Sequence, residues 1–149
     1  MADAHLSQAE ADELMRMEKH RLDVDAVSFP APGRNLTIAL RSTDGREEFL
    51  LDVWRSAKNA RRARFQLRAR RSVILARIDL GGQPHHNEKD DTDIPAPHLH
   101  LYREGWGSGW ARPVPSANFT NVDDHHWTLE EFMIYCNITE PPKFQWDLL

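Results

Sequence analysis

Two histidines one residue apart, with a tyrosine two positions further on, occupy the stretch PHLHLYREG from Pro97 to Gly105. Side chains alternate between the two faces of an extended strand. His98, His100, Tyr102 and Glu104 therefore project one way, and Leu99, Leu101 and Arg103 the other. Imidazoles titrate near neutral pH, so two of them can serve as base and acid on one substrate. A second set lies upstream, where Arg64, Gln66, Arg68 and Arg70 alternate with Phe65, Leu67 and Ala69, and Arg77 and Asp79 repeat the period. If the segments 63–71, 73–80 and 98–104 are neighbours in a sheet, guanidinium, imidazole and phenol groups share one face. Guanidinium forks grip phosphate through two hydrogen bonds. The chemistry this face suits is cleavage of RNA through its 2′-hydroxyl, with His98 and His100 as acid and base. Arg64, Arg68, Arg70 and Arg77 would hold phosphate, while Tyr102, Trp106 and Trp110 would stack unpaired bases. Such a reaction needs no metal and no other cofactor.

A metal centre is the competing use of the same residues. His85, His86, Asp90, Asp91, Asp93, His98, His100, His125 and His126 are all potential ligands. His85-His86 and His125-His126 are adjacent pairs, however, and adjacent side chains on an extended chain diverge. No His-Glu-x-x-His or paired Cys-x-x-Cys spacing is present. No metal ligand is assigned from the sequence. GWGSGW lacks the pattern of a phosphate-cradling loop, and Ser108 and Ser116 have no base and acid at motif spacing. Cys136 falls on an apolar helical stripe and reads as core.

Positioning these groups requires a sheet. NLTIALR alternates Leu36, Ile38 and Leu40 with polar residues, and Asp44-Gly45 marks a tight turn before EFLLDVWR. ARFQLRARR and SVILARIDL follow, the latter with Ile74, Ala76, Ile78 and Leu80 inward. The loop GGQPHHNEKDDTDIPAP leads to PHLHLYREG, and WARPVP holds a short last strand. A capping box at Ser7 and Glu10 opens a helix over Ser7–Leu22, and a second at Thr128 and Glu131 opens a helix ending near Asn137. The expected fold is a single α+β domain over residues 1–149. An antiparallel sheet of five or six strands, strongly twisted or closing toward a half-open barrel, spans 35–113. One helix lies within 1–25 and another within 128–138, with a tail at 139–149 that tucks in Phe144 and Trp146.

With 149 residues, five tryptophans and 40% hydrophobic content, the chain suits one folded core. It has no eighteen-residue apolar run, and MADAHLSQAE lacks the features of a signal peptide. The lone cysteine precludes an internal disulfide. These features lead to the expectation of a cytoplasmic protein with no membrane partner. Net charge is −4, yet residues 26–77 carry +8 between segments of −4 and −8. The basic middle calls for RNA or another polyanion, unless its arginines pair with acidic groups inside the fold.

Residues 50–139 resemble a family of small uncharacterised proteins from bacteria and their phages. The resemblance is carried by Pro84-His85 with Asn87, the PHLHLYREG strand, Trp110 with Pro113, and the closing YCNI. It implies a mobile-element setting, in phage–host or toxin–antitoxin conflict, and brings no established activity with it. It also implies that His85, Asn87, His98, His100, Tyr102 and Arg103 form one site, with the loop folded back over the strand. His85 and Tyr102 thereby join His98 and His100 as catalytic candidates, and Arg103 joins the nucleic-acid-binding ones. Two functions follow as expectations: an RNA-binding protein, in its strongest form a metal-independent endoribonuclease toxin, or a non-enzymatic module. The module would dock on a protein partner, such as an antitoxin or a subunit of a CRISPR-type defence complex.

Overall fold

The computed structural model describes residues 5–145. In chain order the elements are α1 (Gln8–Arg16), β1 (Lys19–Arg21), β2 (Val27–Ser28), β3 (Asn35–Ser42), β4 (Glu48–Arg55), β5 (Ala63–Ala69), β6 (Val73–Leu80), β7 (His85–Asn87) and β8 (Thr92–Ile94). They continue with β9 (His98–Leu101), β10 (Ala111–Pro113), α2 (His125–Tyr135), β11 (Ile138–Glu140) and β12 (Phe144–Gln145). The main sheet has eight strands in the order β10-β9-β6-β5-β4-β3-β1-β11, antiparallel except where β1 meets β11. It is therefore wider than the alternating pattern indicates. The extra members are three-residue edge pieces, too short to show a period.

The long strands form where the sequence alternates. The β3–β4 turn is pinned by Asp44, whose carboxylate accepts from Ser42 Oγ and Arg46 N, and by Gly45 at φ +75°. One face of the sheet carries Leu40, Phe49, Leu51, Val53, Phe65, Leu67, Ile78 and Leu99, all fully buried with Leu14 of α1 and Leu129, Phe132 and Met133 of α2. The two helices thus cover the apolar face. Removing that area from water is the main term holding the domain together.

Local chemistry adjusts several sequence-based boundaries. The capping box of α1 forms, with Ser7 Oγ accepting from Glu10 N and the Glu10 carboxylate accepting from Ser7 N. The helix ends at Arg16 rather than Leu22, because Lys19 turns back to its end. The Lys19 ammonium donates to the carbonyls of Met15 (2.9 Å), Met17 (2.7 Å) and Cys136 (2.8 Å), tying the C-terminal ends of both helices together. The second helix starts three residues earlier than expected, capped by Asp124. Thr128 instead donates to the carbonyls of Asn121 and Asp124, and Glu131 accepts from the Thr120 backbone and hydroxyl. A bulge places Arg68 opposite Ile74 and Leu67 opposite Ala76, so Ile74 sits on the polar face, half-buried, instead of inward. In the tail, Phe144 packs against Phe29; Trp146 lies outside the described residues. No helix among the described residues is long and apolar enough to cross a membrane.

Candidate nucleic-acid interface

Paired residues on neighbouring strands share a face. The register therefore lays two polar rows across the sheet, Trp54–Arg64–Asp79–His98 and Asp52–Gln66–Arg77–His100. The sequence pattern anticipated that gathering of Arg64, Arg77, His98 and His100. It did not identify Asp79 as the centre. Its Oδ1 accepts from Arg64 Nε at 2.8 Å, while its Oδ2 lies 2.9 Å from His98 Nε2, 3.0 Å from Arg77 Nη2 and 3.3 Å from His100 Nε2. Burial on its own would raise the Asp79 pKa. The N–H of His98 and the guanidinium charges of Arg77 and Arg64 outweigh it and hold the carboxyl far below the usual carboxylate range.

Arginine can only donate, so the 2.9 Å contact between Arg77 Nη2 and His100 Nε2 makes that nitrogen an acceptor. The other nitrogen, Nδ1–H, then donates to the Ser108 carbonyl at 2.7 Å. Burial holds the His100 pKa below its ordinary value, with Asp79 opposing and Arg77 reinforcing the shift. His98 donates from Nε2 to Asp79, and its Nδ1 is buried with no hydrogen-bond partner among the described residues.

Although they lie on the polar face, both imidazoles are buried. His98 is 3% exposed and His100 1%. They do occupy the polar side of the sheet, but the loop of the intervening segment folds over them. Within that segment β7 pairs with β8, and Asn87 clamps it down by donating to the Ala111 carbonyl and accepting from the Ala111 amide. The His85 ring lies 4.7 Å from that of His100 and 5.8 Å from that of His98. The three imidazoles thus form one cluster.

Tyr102 is not part of it. Regular pairing stops at Leu101, so the alternation that placed Tyr102 beside the histidines ends before it. Its hydroxyl accepts from Leu6 N and donates to Leu6 O, at 2.8 and 2.7 Å, in the core beneath the N-terminal segment. Arg70 also leaves the face. With Arg71 it forms the β5–β6 turn at positive φ, and its guanidinium lies 3.6 Å from Glu10 and from Glu47. Arg68 stays on the face but spends its fork on Asp52, at 2.6 and 2.9 Å, and donates to the Arg71 carbonyl. Arg103 lies between Trp106 and Trp110, 5.1 and 4.9 Å from their rings.

A cavity of about 160 Å³ opens at the Arg64–Asp79–His98 row, walled by Trp54, Arg62, Arg64, Arg77, His85 and His98. The Trp54 ring carries the Arg62 guanidinium at 5.5 Å and the Arg64 guanidinium at 6.0 Å. Arg62 and Trp54 had no assigned role from sequence, since Arg62 precedes the strand and Trp54 reads as one more strand residue. Gly81, at φ +68°, lets the chain leave β6 against the Arg61 carbonyl; an added Cβ would lie 2.8 Å from that oxygen. A broader cleft of about 790 Å³ continues beyond Gly81 past Arg61, Pro97 and His125.

Fold and site together define an α+β protein whose mostly antiparallel sheet carries a His/Asp/Arg network on the face away from its helices. Residues 6–138 match the family of unknown function DUF6978, and the chain belongs to that family. No curated protein and no solved structure matches it.

Proposed function

We propose that this protein binds single-stranded RNA, with a backbone phosphate entering the cavity between Arg62, Arg64 and His85. The observation that carries this reading is the pair of guanidinium groups flanking Trp54 at the mouth of a small cavity with a third, Arg77, in its wall. Arginine at phosphate and an aromatic ring for a base are the two recurring parts of single-strand recognition. Arg68 and Arg70 take no part in it, being engaged by Asp52 and by Glu10 and Glu47. The setting we propose is phage–host or toxin–antitoxin conflict, which the resemblance of the PHLHLYREG strand implies.

Fluorescence anisotropy of a labelled oligoribonucleotide over a salt series tests the reading. Affinity should fall with salt at a log–log slope of about −0.7 per phosphate contacted. Arg62→Glu should weaken binding about tenfold, equivalent to about 1.4 kcal/mol, without lowering the melting temperature. Salt-independent binding, or an Arg62→Glu protein that binds as wild type does, refutes it. The same incubation reports cleavage by gel. One observation favours a second reading, protein docking: Trp127 and Ile134 share the outer face of α2 and are 54% and 76% exposed. Complex formation that survives nuclease and is lost in Trp127→Ala would support that reading.

A further inference from the structure

We infer that Asp79, His98 and His100 form a binding site for a divalent transition-metal ion such as zinc. The three side chains present Oδ2, Nε2 and Nε2, all within 4.8 Å of one another, and all three residues are largely buried. The Oδ2 to Nε2 separations are 2.9 and 3.3 Å. Bonds of about 2.0–2.2 Å from a tetrahedral zinc place its ligand atoms about 3.3 Å apart. Two edges of the triad, from Asp79 to each imidazole, are therefore within a few tenths of an ångström of those around a bound ion, and the third is no longer than 4.8 Å. Two imidazoles and one carboxylate form a donor set for first-row divalent metals.

The surroundings of Asp79 and His100 are arranged as metal ligands require, and His98 would release its Nε2 proton on binding. The Ser108 carbonyl takes the Nδ1 proton of His100 and so directs the Nε2 lone pair at the centre. Arg64 holds Oδ1 of Asp79 and leaves Oδ2 facing the imidazoles. The His100 lone pair then faces a carboxylate oxygen 3.3 Å away, a repulsion that a cation between them converts into attraction. Arg77 Nη2 now lies against both atoms, at 2.9 and 3.0 Å, and is the cation standing in that position. Its Nε has no hydrogen-bond partner among the described residues, and the side chain lies in the cavity wall, so the guanidinium has room to turn aside. A bound ion would have three protein ligands and a remaining position toward the cavity, the arrangement of an open site. This inference does not depend on RNA binding.

The test is calorimetric titration of chelator-treated full-length protein with Zn2+, alongside the visible spectrum with Co2+. The expected result is one ion per chain and a tetrahedral Co2+ absorption band. His98→Ala and His100→Ala should each weaken binding by about 100-fold or more, while His86→Ala leaves it unchanged. Arg77→Ala should tighten binding, because it removes the competing guanidinium. An Arg77 variant that binds no better than wild type, or binding retained in the two histidine variants, overturns the assignment. So does the absence of a stoichiometric site in wild-type and Arg77→Ala protein alike. RNA anisotropy on the same samples shows separately whether the RNA reading stands.

Discussion

Replacing Asp79 by asparagine probes the network with almost no change of shape. The side chain is 13% exposed and faces two guanidinium and two imidazole groups. Removing one partner of a buried ion pair costs about 3–5 kcal/mol, because the opposite charge is left uncompensated. Two arginines share the Asp79 carboxylate, but Arg64 is 40% exposed and recovers hydration, so Arg77 at 17% sets the cost. We expect a loss near the lower bound, about 3 kcal/mol, or about 6–12 °C in melting temperature for a chain of this size. The effect also has a pH signature. The folded carboxyl titrates far below the unfolded value of 3.8, so on acidification the unfolded chain takes up the proton first. The contribution of Asp79 is present in full above that pH and is lost as pH falls beneath it. Urea unfolding at pH 7 and at pH 3 measures both. The gap between wild type and variant should be about 3 kcal/mol at pH 7 and should narrow below pH 3.8 by about 1.4 kcal/mol per unit. A gap under about 0.5 kcal/mol at neutral pH, or one that does not narrow in acid, refutes the reasoning.

Lys19→Met leaves three helix-end carbonyls without their ammonium and should cost at least about 3 kcal/mol by urea unfolding. Burial lowers the Lys19 pKa to about 8, so the unfolded chain holds the extra proton between that pH and 10.5. Wild-type stability should therefore gain from Lys19 as pH rises through that window, and the Met variant should lack the gain. Tyr102→Phe removes the two hydrogen bonds to Leu6 and should cost about 1–2 kcal/mol while leaving RNA affinity unchanged; a fall in affinity would return the tyrosine to the site. Gly81→Ala forces a positive φ and a contact with the Arg61 carbonyl, so it should cost about 1–3 kcal/mol and displace Arg62, seen as lowered stability together with weaker RNA binding.

Much of the sheet is legible in the sequence because a half-buried strand must alternate. Every strand from β3 to β6, and β9, coincides with an alternating run, and the polar rows follow once the strands are neighbours. What alternation does not encode is where it stops. Counting in twos carries Tyr102 and Arg70 onto the polar face, but regular pairing ends before them, at Leu101 in one case and at a two-residue turn in the other. The burial of His98 and His100 depends on a loop whose path is set by Asn87, thirteen or fewer residues away in sequence but paired with Ala111 across the fold. The dominance of Asp79 needs the register, since its partners come from three strands. Lys19 carries no sequence signal at all: a lysine followed by His-Arg reads as surface, and only the meeting of two helix ends makes it core. Charge follows the same rule: Arg68 and Arg70 are neutralised inside the fold, while Arg62 stands at the cavity.

The central claim is that a nucleic-acid strand meets the protein at Trp54. Tryptophan indole N–H signals, assigned by single substitutions, report it directly as an oligoribonucleotide is titrated into labelled protein. The Trp54 signal should shift progressively, with that of Trp127 unmoved. Movement at Trp127 while Trp54 stays fixed, or no movement anywhere, would contradict it.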